Sequence, residues 1–175
     1  MKNTGIVRRM DDLGRIVIPK EIRKTLRIKD GESLEIFLSN DNIVLKKYSP
    51  MELFSDFYSY YVESIYTEIG NNVLIVDRDQ VVAFSGDLKK EYINMVISSE
   101  LDNIINKRNM IFSKKKKKIS FINGSYVEAS FVVSPIITSS DVLGAVIIFC
   151  TNSDIDDFII KTCVIAAKFL GKCIE

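Results

Sequence analysis

The sequence predicts an α+β protein in two parts, and three features lead there. Up to residue 49 the chain runs in short stretches rich in β-branched residues, divided by turns containing Gly, Asp and Asn. Tyr48-Ser49-Pro50 then reads as a linker. Beyond it, apolar residues recur at helical spacing near both ends of the segment, with hairpin patterns between them. The order helix, two strands, helix, several strands, helix belongs to the α+β class. The expected division is residues 1–49 and residues 50–175.

In the first part, Ile6–Met10 and Arg15–Ile18 read as strands joined by the turn Asp11-Asp12-Leu13-Gly14, with Gly14 expected at positive φ. Pro19 opens a short helix through Leu26, since the first helical position has no use for an N–H. Ser33–Leu38 and Ile43–Lys47 read as two further strands around the turn Ser39–Asn42. A unit of about 50 residues buries too little surface to be comfortably stable alone. With no disulfide or metal to staple it, the expected remedy is a dimer whose strands share one core.

In the second part, Leu53, Phe57, Tyr61, Ile65 and Ile69 mark a helix over 52–69, closed by Gly70. Val73–Val76 and Gln80–Phe84 flank Asp77-Arg78-Asp79 as a hairpin, in which Asp77 and Asp79 are better read as turn formers than as a catalytic carboxylate pair. A second helix is expected over 88–107. Ile119–Ile122 and Tyr126–Val133 flank Asn123-Gly124, the strongest short hairpin signal. Val142–Phe149 is wholly apolar and belongs in a sheet centre. Ser153 is the expected N-cap of a last helix, with Asp154, Asp156 and Asp157 in its first turn. Ile155, Phe158, Ile159, Ala166, Phe169 and Leu170 are expected to face inward from it. The helices at 52–69 and 154–173 carry apolar faces broad enough to pack together and to form a self-association surface.

Composition removes several functions. The 175 residues hold no histidine, the commonest general base and metal ligand. Cys150, Cys163 and Cys173 show no paired spacing and read as thiols of a cytoplasmic protein rather than redox sensors. No run reaches membrane-spanning length and no leader pattern is visible, so a cytoplasmic protein without membrane contact is expected. No catalytic residue, metal or cofactor is assigned. The net charge is only +1, but residues 1–49 hold 11 Lys and Arg against 7 Asp and Glu, whereas the remainder holds 13 against 16. A basic front and an acidic back point to an anionic partner at the front.

The short helix sharpens this. At 3.6 residues per turn, Ile22 and Leu26 point one way, while Lys20, Arg23, Lys24 and Arg27 share an arc of about 100° on the other side. Arg8, Arg9 and Arg15 come from the neighbouring strands. Doubled in a two-fold dimer, these form a surface able to track phosphates. An ordinary solvated face, paired with Glu21, Asp30 and Glu32, accounts for the same pattern equally well.

The runs Thr4-Gly5-Ile6-Val7-Arg8-Arg9, Asp11-Asp12-Leu13-Gly14-Arg15-Ile16-Val17-Ile18-Pro19, Glu21-Ile22-Arg23-Lys24-Thr25-Leu26, Leu34-Glu35-Ile36 and Leu45-Lys46-Lys47-Tyr48 closely resemble the N-terminal domain of the AbrB-type transition-state regulators. Over its whole length the chain is similar to sporulation-stage members of that family. The resemblance implies a swapped-hairpin β-barrel dimer that binds double-stranded DNA. It carries the DNA-contacting role to Arg8, Arg15, Arg23 and Lys24, with Arg9 in the same basic pair. Lys24 stands where the family often has Arg; it neutralises a phosphate but lacks the bidentate fork. The resemblance further implies a transcription regulator, activator or repressor, working on the nucleoid of the forespore.

Residues 50–175 resemble a GAF domain, a sensor fold. That leaves two roles open for them: binding a small-molecule effector of unknown identity, or only holding the chain as a homodimer or homotetramer. Lys114–Lys118 reads as a solvated loop rather than a second DNA contact. Two rival functions stand beside the regulator. Related barrels occur in antitoxins, but those carry disordered tails where this chain reads as folded. An enzyme centred on the second part lacks any catalytic motif.

Overall fold

The structure, a computed structural model, describes residues 5–49, 51, 54–88, 92–139 and 141–174, and its chain separates into the units Met1–Tyr48 and Ser49–Glu175. In the first unit Pro19, at φ −56° and ψ 145°, leads into helix α1, Lys20–Thr25. The helix ends where Arg27 turns left-handed at φ 54°. Ile28 N then bonds back to Arg23 O (2.7 Å) and Arg27 N to Lys24 O (3.2 Å), which satisfies the last carbonyls. Strands β1, Leu34–Ser39, and β2, Asn42–Lys47, form an antiparallel hairpin in register from Leu34↔Lys47 to Ser39↔Asn42. Lys47 Nζ reaches Glu32 (3.1 Å) and the carbonyl of Arg27 (3.1 Å), tying this hairpin to the end of α1.

The strands expected at 6–10 and 15–18 need correction: neither pairs into a sheet within one chain. They flank a turn closed by Asp11 N to Arg15 O (3.0 Å) and Gly14 N to Asp11 O (3.1 Å), with Gly14 at φ +76° as expected. Of their apolar side chains Ile18 is half-buried and the others find no cover. Among the described residues of this unit Pro19 is buried and no other is. Val7 is 84% exposed and Leu38 82%. Leu26, expected inward, is 54% exposed, while Ile22 is half-buried. A hairpin and one short helix enclose no volume, so even correctly placed apolar residues remain wet.

The second unit is built on a five-stranded antiparallel sheet. Its strands are β3, Asn72–Val76; β4, Val81–Ser85; β5, Ile111–Ile119; β6, Val127–Ile137; and β7, Val142–Cys150, in the order β4-β3-β7-β6-β5. The expected hairpin at 73–84 forms, and Asp77 shapes its turn by accepting from Asp79 N and Gln80 N, both at 2.7 Å. Strand β7 lies at the centre, as its apolar run requires. Helices α2, Ser55–Ile69, and α4, Asp157–Ile174, cover one face. There Tyr58, Val62, Cys163, Ala167 and Leu170 meet Val73, Ile75, Val146 and Ile148. Helix α3, Ser99–Asn106, covers the other face, where Leu101 and Ile105 meet Leu74, Val76, Ile147 and Phe149. Alternate residues of β3 and β7 thus serve two cores.

Four further expectations change. The helix expected over 88–107 is only α3, because Ser98 caps it by accepting from Leu101 N (3.0 Å), and Val96 and Ile97 make strand-like bridges to Gln80 and Ile122. Residues 89–91 of that expectation lie outside the described residues. Lys114–Lys118 is no loop but the middle of edge strand β5. The pairing slips there, Ser113 facing Phe131 and Lys117 facing Ala129, so three residues stand opposite one. Helix α4 starts at Asp157, later than Ser153. Asp156 accepts from Ile159 N (2.9 Å) in the capping position, and Ser153 lies against the Cys150 thiol instead. Finally, Phe158 is 65% exposed and Phe169 half-exposed, whereas Ile155, Ile159, Ala166 and Leu170 are buried as expected. Phe169 stacks on Tyr61 (centroids 5.6 Å), which stacks on Phe57 (5.7 Å), so α2 and α4 share an aromatic surface facing out.

Candidate nucleic-acid interface

The turn at 11–15 is organised by a single carboxylate. Asp11 Oδ1 accepts from Leu13 N (3.1 Å) and Arg15 N (2.7 Å), and Oδ2 accepts from Arg15 Nε (2.7 Å). The Arg15 backbone N–H, then its guanidinium, hold the Asp11 carboxyl below its ordinary value. Arg15 is nonetheless largely exposed, and only Nε is engaged by Asp11. The Nη donors remain for a second acceptor in a fixed fork. The side chain is thus aimed by its neighbour while its outer edge faces water.

Arg23 is held similarly from α1. Its Nη1 donates to Asp30 Oδ1 at 2.6 Å, and Nε is buried without a partner among the described residues. Asp30 is almost fully exposed. Solvent screens such a pair, so a phosphate can compete for the guanidinium. Arg8, Arg9 and Lys24 pair with no carboxylate among the described residues; Arg8 Nη1 donates to the Val7 carbonyl (3.1 Å). All three are exposed.

The five candidates therefore fall into two sorts: Arg15 and Arg23, each tethered by an Asp, and Arg8, Arg9 and Lys24, untethered. Sequence patterns alone give Asp11 as a turn former and Asp30 as a competing charge, and do not show that each holds an arginine. The Asp-x-x-x-Arg spacing of 11 and 15 was the available signal; no local spacing joins Arg23 to Asp30. Among the described residues no group of three or more His, Cys, Asp or Glu side chains could hold a metal ion, and no helix is long and apolar enough to cross a membrane.

Residues 52–175 match the family model described as stage V sporulation protein T C-terminal, transcription factor. Residues 7–53 match the model described as antidote-toxin recognition MazE, bacterial antitoxin. The chain is 44% identical over 177 residues to stage V sporulation protein T of Bacillus subtilis (strain 168), covering 100% of this chain and 99% of that protein. It is 56% identical over 50 residues to the transition state regulatory protein AbrB of the same organism, which is 29% of this chain and 52% of that protein. Among solved structures, the GAF domain of an Acinetobacter phosphoenolpyruvate-protein phosphotransferase matches with a TM-score of 0.54 at 14% identity, over 74% of this chain and 84% of that one. That likeness concerns the fold alone.

Proposed function

Because the chain belongs to the family of transcription factors that includes stage V sporulation protein T, we propose that it regulates sporulation-stage genes by binding duplex DNA through its basic front unit. Arg8, Arg9, Arg15, Arg23 and Lys24 make the contacts in this reading. The observation that carries it is the pairing of an unburied apolar front unit with arginines aimed outward by Asp11 and Asp30. A second copy would cover the apolar strands in a swapped-hairpin barrel and double every cation. Contacts of this kind grip phosphates, and sequence choice then leans on duplex shape and on arginines reaching guanine edges.

The unit from Ser49 onward is the regulatory and self-associating part. Phe57, Tyr61 and Phe169, with Ile165 one turn before Phe169 on α4 and 67% exposed, form the surface through which dimers join as a tetramer. A small-molecule effector at the GAF-like fold completes the reading, and the site of action is the nucleoid in the cytoplasm of the forespore. The role is binding rather than catalysis. The antitoxin description applies only to residues 7–53, and the folded, family-matched segment after it supports a regulator.

The test sets anisotropy of the full chain on AT-rich promoter duplexes beside a thermal-shift screen of metabolites. Salt-sensitive duplex binding at sub-micromolar concentration supports the reading. Absence of duplex binding at low salt, together with a metabolite that raises the melting temperature, overturns it in favour of a pure ligand-binding protein.

A further inference from the structure

Edge strand β5 carries five consecutive lysines, Lys114–Lys118, all exposed. They stand out against their surroundings, because residues 50–175 hold only 13 Lys and Arg against 16 Asp and Glu. The slip in pairing sits within the run, with the Ser113 hydroxyl donating to the Lys115 carbonyl at 2.7 Å. The ends of the run are occupied. Lys114 Nζ pairs with Asp157 at 2.8 Å, and its carbonyl accepts from Ile155 N (3.3 Å). Lys118 lies 4.8 Å from the centroid of the Tyr126 ring and faces Glu128 across the ladder. Lys115, Lys116 and Lys117 pair with no carboxylate among the described residues, and Lys117 faces Ala129.

Lysines on a sheet edge commonly guard against strand-to-strand aggregation, and one or two are enough for that. Five in a row, three of them uncompensated, exceed that need and crowd positive charge onto one sheet edge. At ordinary strand rise the run spans about 13 Å. Duplex DNA carries one phosphate charge per ~3.4 Å of axis along each strand, so one strand sets about four phosphates beside such a run. We propose that Lys115, Lys116 and Lys117 form a second DNA-contacting strip, on the regulatory unit itself, which holds phosphates without reading sequence. The inference rests on the reading of the chain as a DNA binder and extends contact beyond the front unit.

The test uses the full chain on a long promoter duplex, titrated with salt. Three phosphate contacts contribute about 2.7 units of slope per strip, so with one strip of the assembly engaged, over a fourfold salt increase the parent weakens ~40-fold more than a Lys115→Gln/Lys116→Gln/Lys117→Gln variant, and more still with two engaged. The Lys→Arg triple variant keeps the parental slope. A Gln variant with parental slope and affinity overturns the strip while leaving the front unit standing; a parent that binds no duplex overturns both. Should the Gln variant aggregate, lysine acetylation of the parent decides. DNA that slows acetylation at 115–117 several-fold supports the strip, and unchanged acetylation overturns it. Salt-sensitive binding to phosphatidylserine vesicles with no change in DNA slope also overturns it, in favour of a membrane surface.

Discussion

Arg15 offers the sharpest test of the front unit, because its part in the turn is carried by its backbone, apart from the DNA contact proposed for its side chain. Its backbone N–H holds the turn through Asp11, and its guanidinium reaches outward. Arg15→Ala keeps the first and deletes the second, so the melting temperature should stay within about 3 °C of the parent. In a two-fold head the residue occurs twice. If each copy meets one phosphate, about 1.8 units of salt slope disappear, and over a fourfold salt increase the parent loses ~12-fold more affinity than the variant. Asp11→Asn supplies the opposite perturbation. Its amide oxygen still accepts from Leu13 N and Arg15 N, but the charge that competes with phosphate is gone. Affinity should rise. At neutral pH the tether is intact, since the Asp11 carboxyl is depressed below its ordinary range and releases Arg15 only as the pH falls through that lowered value. Fluorescence anisotropy across a salt series, with melts alongside, reads both variants. An Arg15→Ala protein with parental melt, affinity and slope refutes the site. An Asp11→Asn protein that melts normally but binds more weakly refutes the competition between Asp11 and phosphate.

Two charge insertions should take the assembly apart at different levels. Leu38→Glu should abolish dimers of the front unit and with them DNA binding, and Ile165→Glu should leave DNA-binding dimers but no tetramer; light scattering on the full chain distinguishes them. Gly144→Ala should destabilise the second unit by at least about 2 kcal/mol, read by denaturant melts, because the new methyl would collide with the Val76 carbonyl oxygen, which the strand backbone cannot move. Alkali should weaken the same unit. Burial pushes the Cys163 thiol up to about 12 from 9.0, and burial pushes the Tyr58 hydroxyl up to about 12 from 10.0. Both groups ionise first in the unfolded chain, so their stability is intact below pH 9 and is lost as the pH rises toward 12, a decline that a melting series from pH 8 to 11 would follow.

The sequence was most legible where one periodicity acts alone. The run Val142–Phe149 could only be a central strand, and Asp77 with its neighbours could only be a turn. It misled where two signals overlapped. Residues 88–98 have helical composition, but Ser98 offers a better cap than anything upstream, and the bridges of Val96 and Ile97 outweigh helix propensity. The lysine run looked like a loop because charge suggests solvent, and an edge strand satisfies that as well as a loop does. Residue type alone points Phe158 and Phe169 inward, yet the inner stripe of α4 is already filled by Ile159, Ala166 and Leu170. The basic residues of the front were readable one by one. What no local pattern revealed was the pairing of Arg23 with Asp30, which depends on how the chain returns after α1.

The wet interior of the front unit has a consequence for dosage. If strands of a second copy complete that fold, the head forms in a bimolecular step, and its formation is tied to protein concentration rather than to the intrinsic stability of either chain. Below the dissociation constant, the amount of competent head rises with the square of the amount of chain. Halving expression would then cut occupancy about fourfold. A gene switched by such a head would respond to a threshold in synthesis rate. A mutation that merely loosened the pairing of heads would behave like a lowered copy number, with every arginine at the DNA still in place.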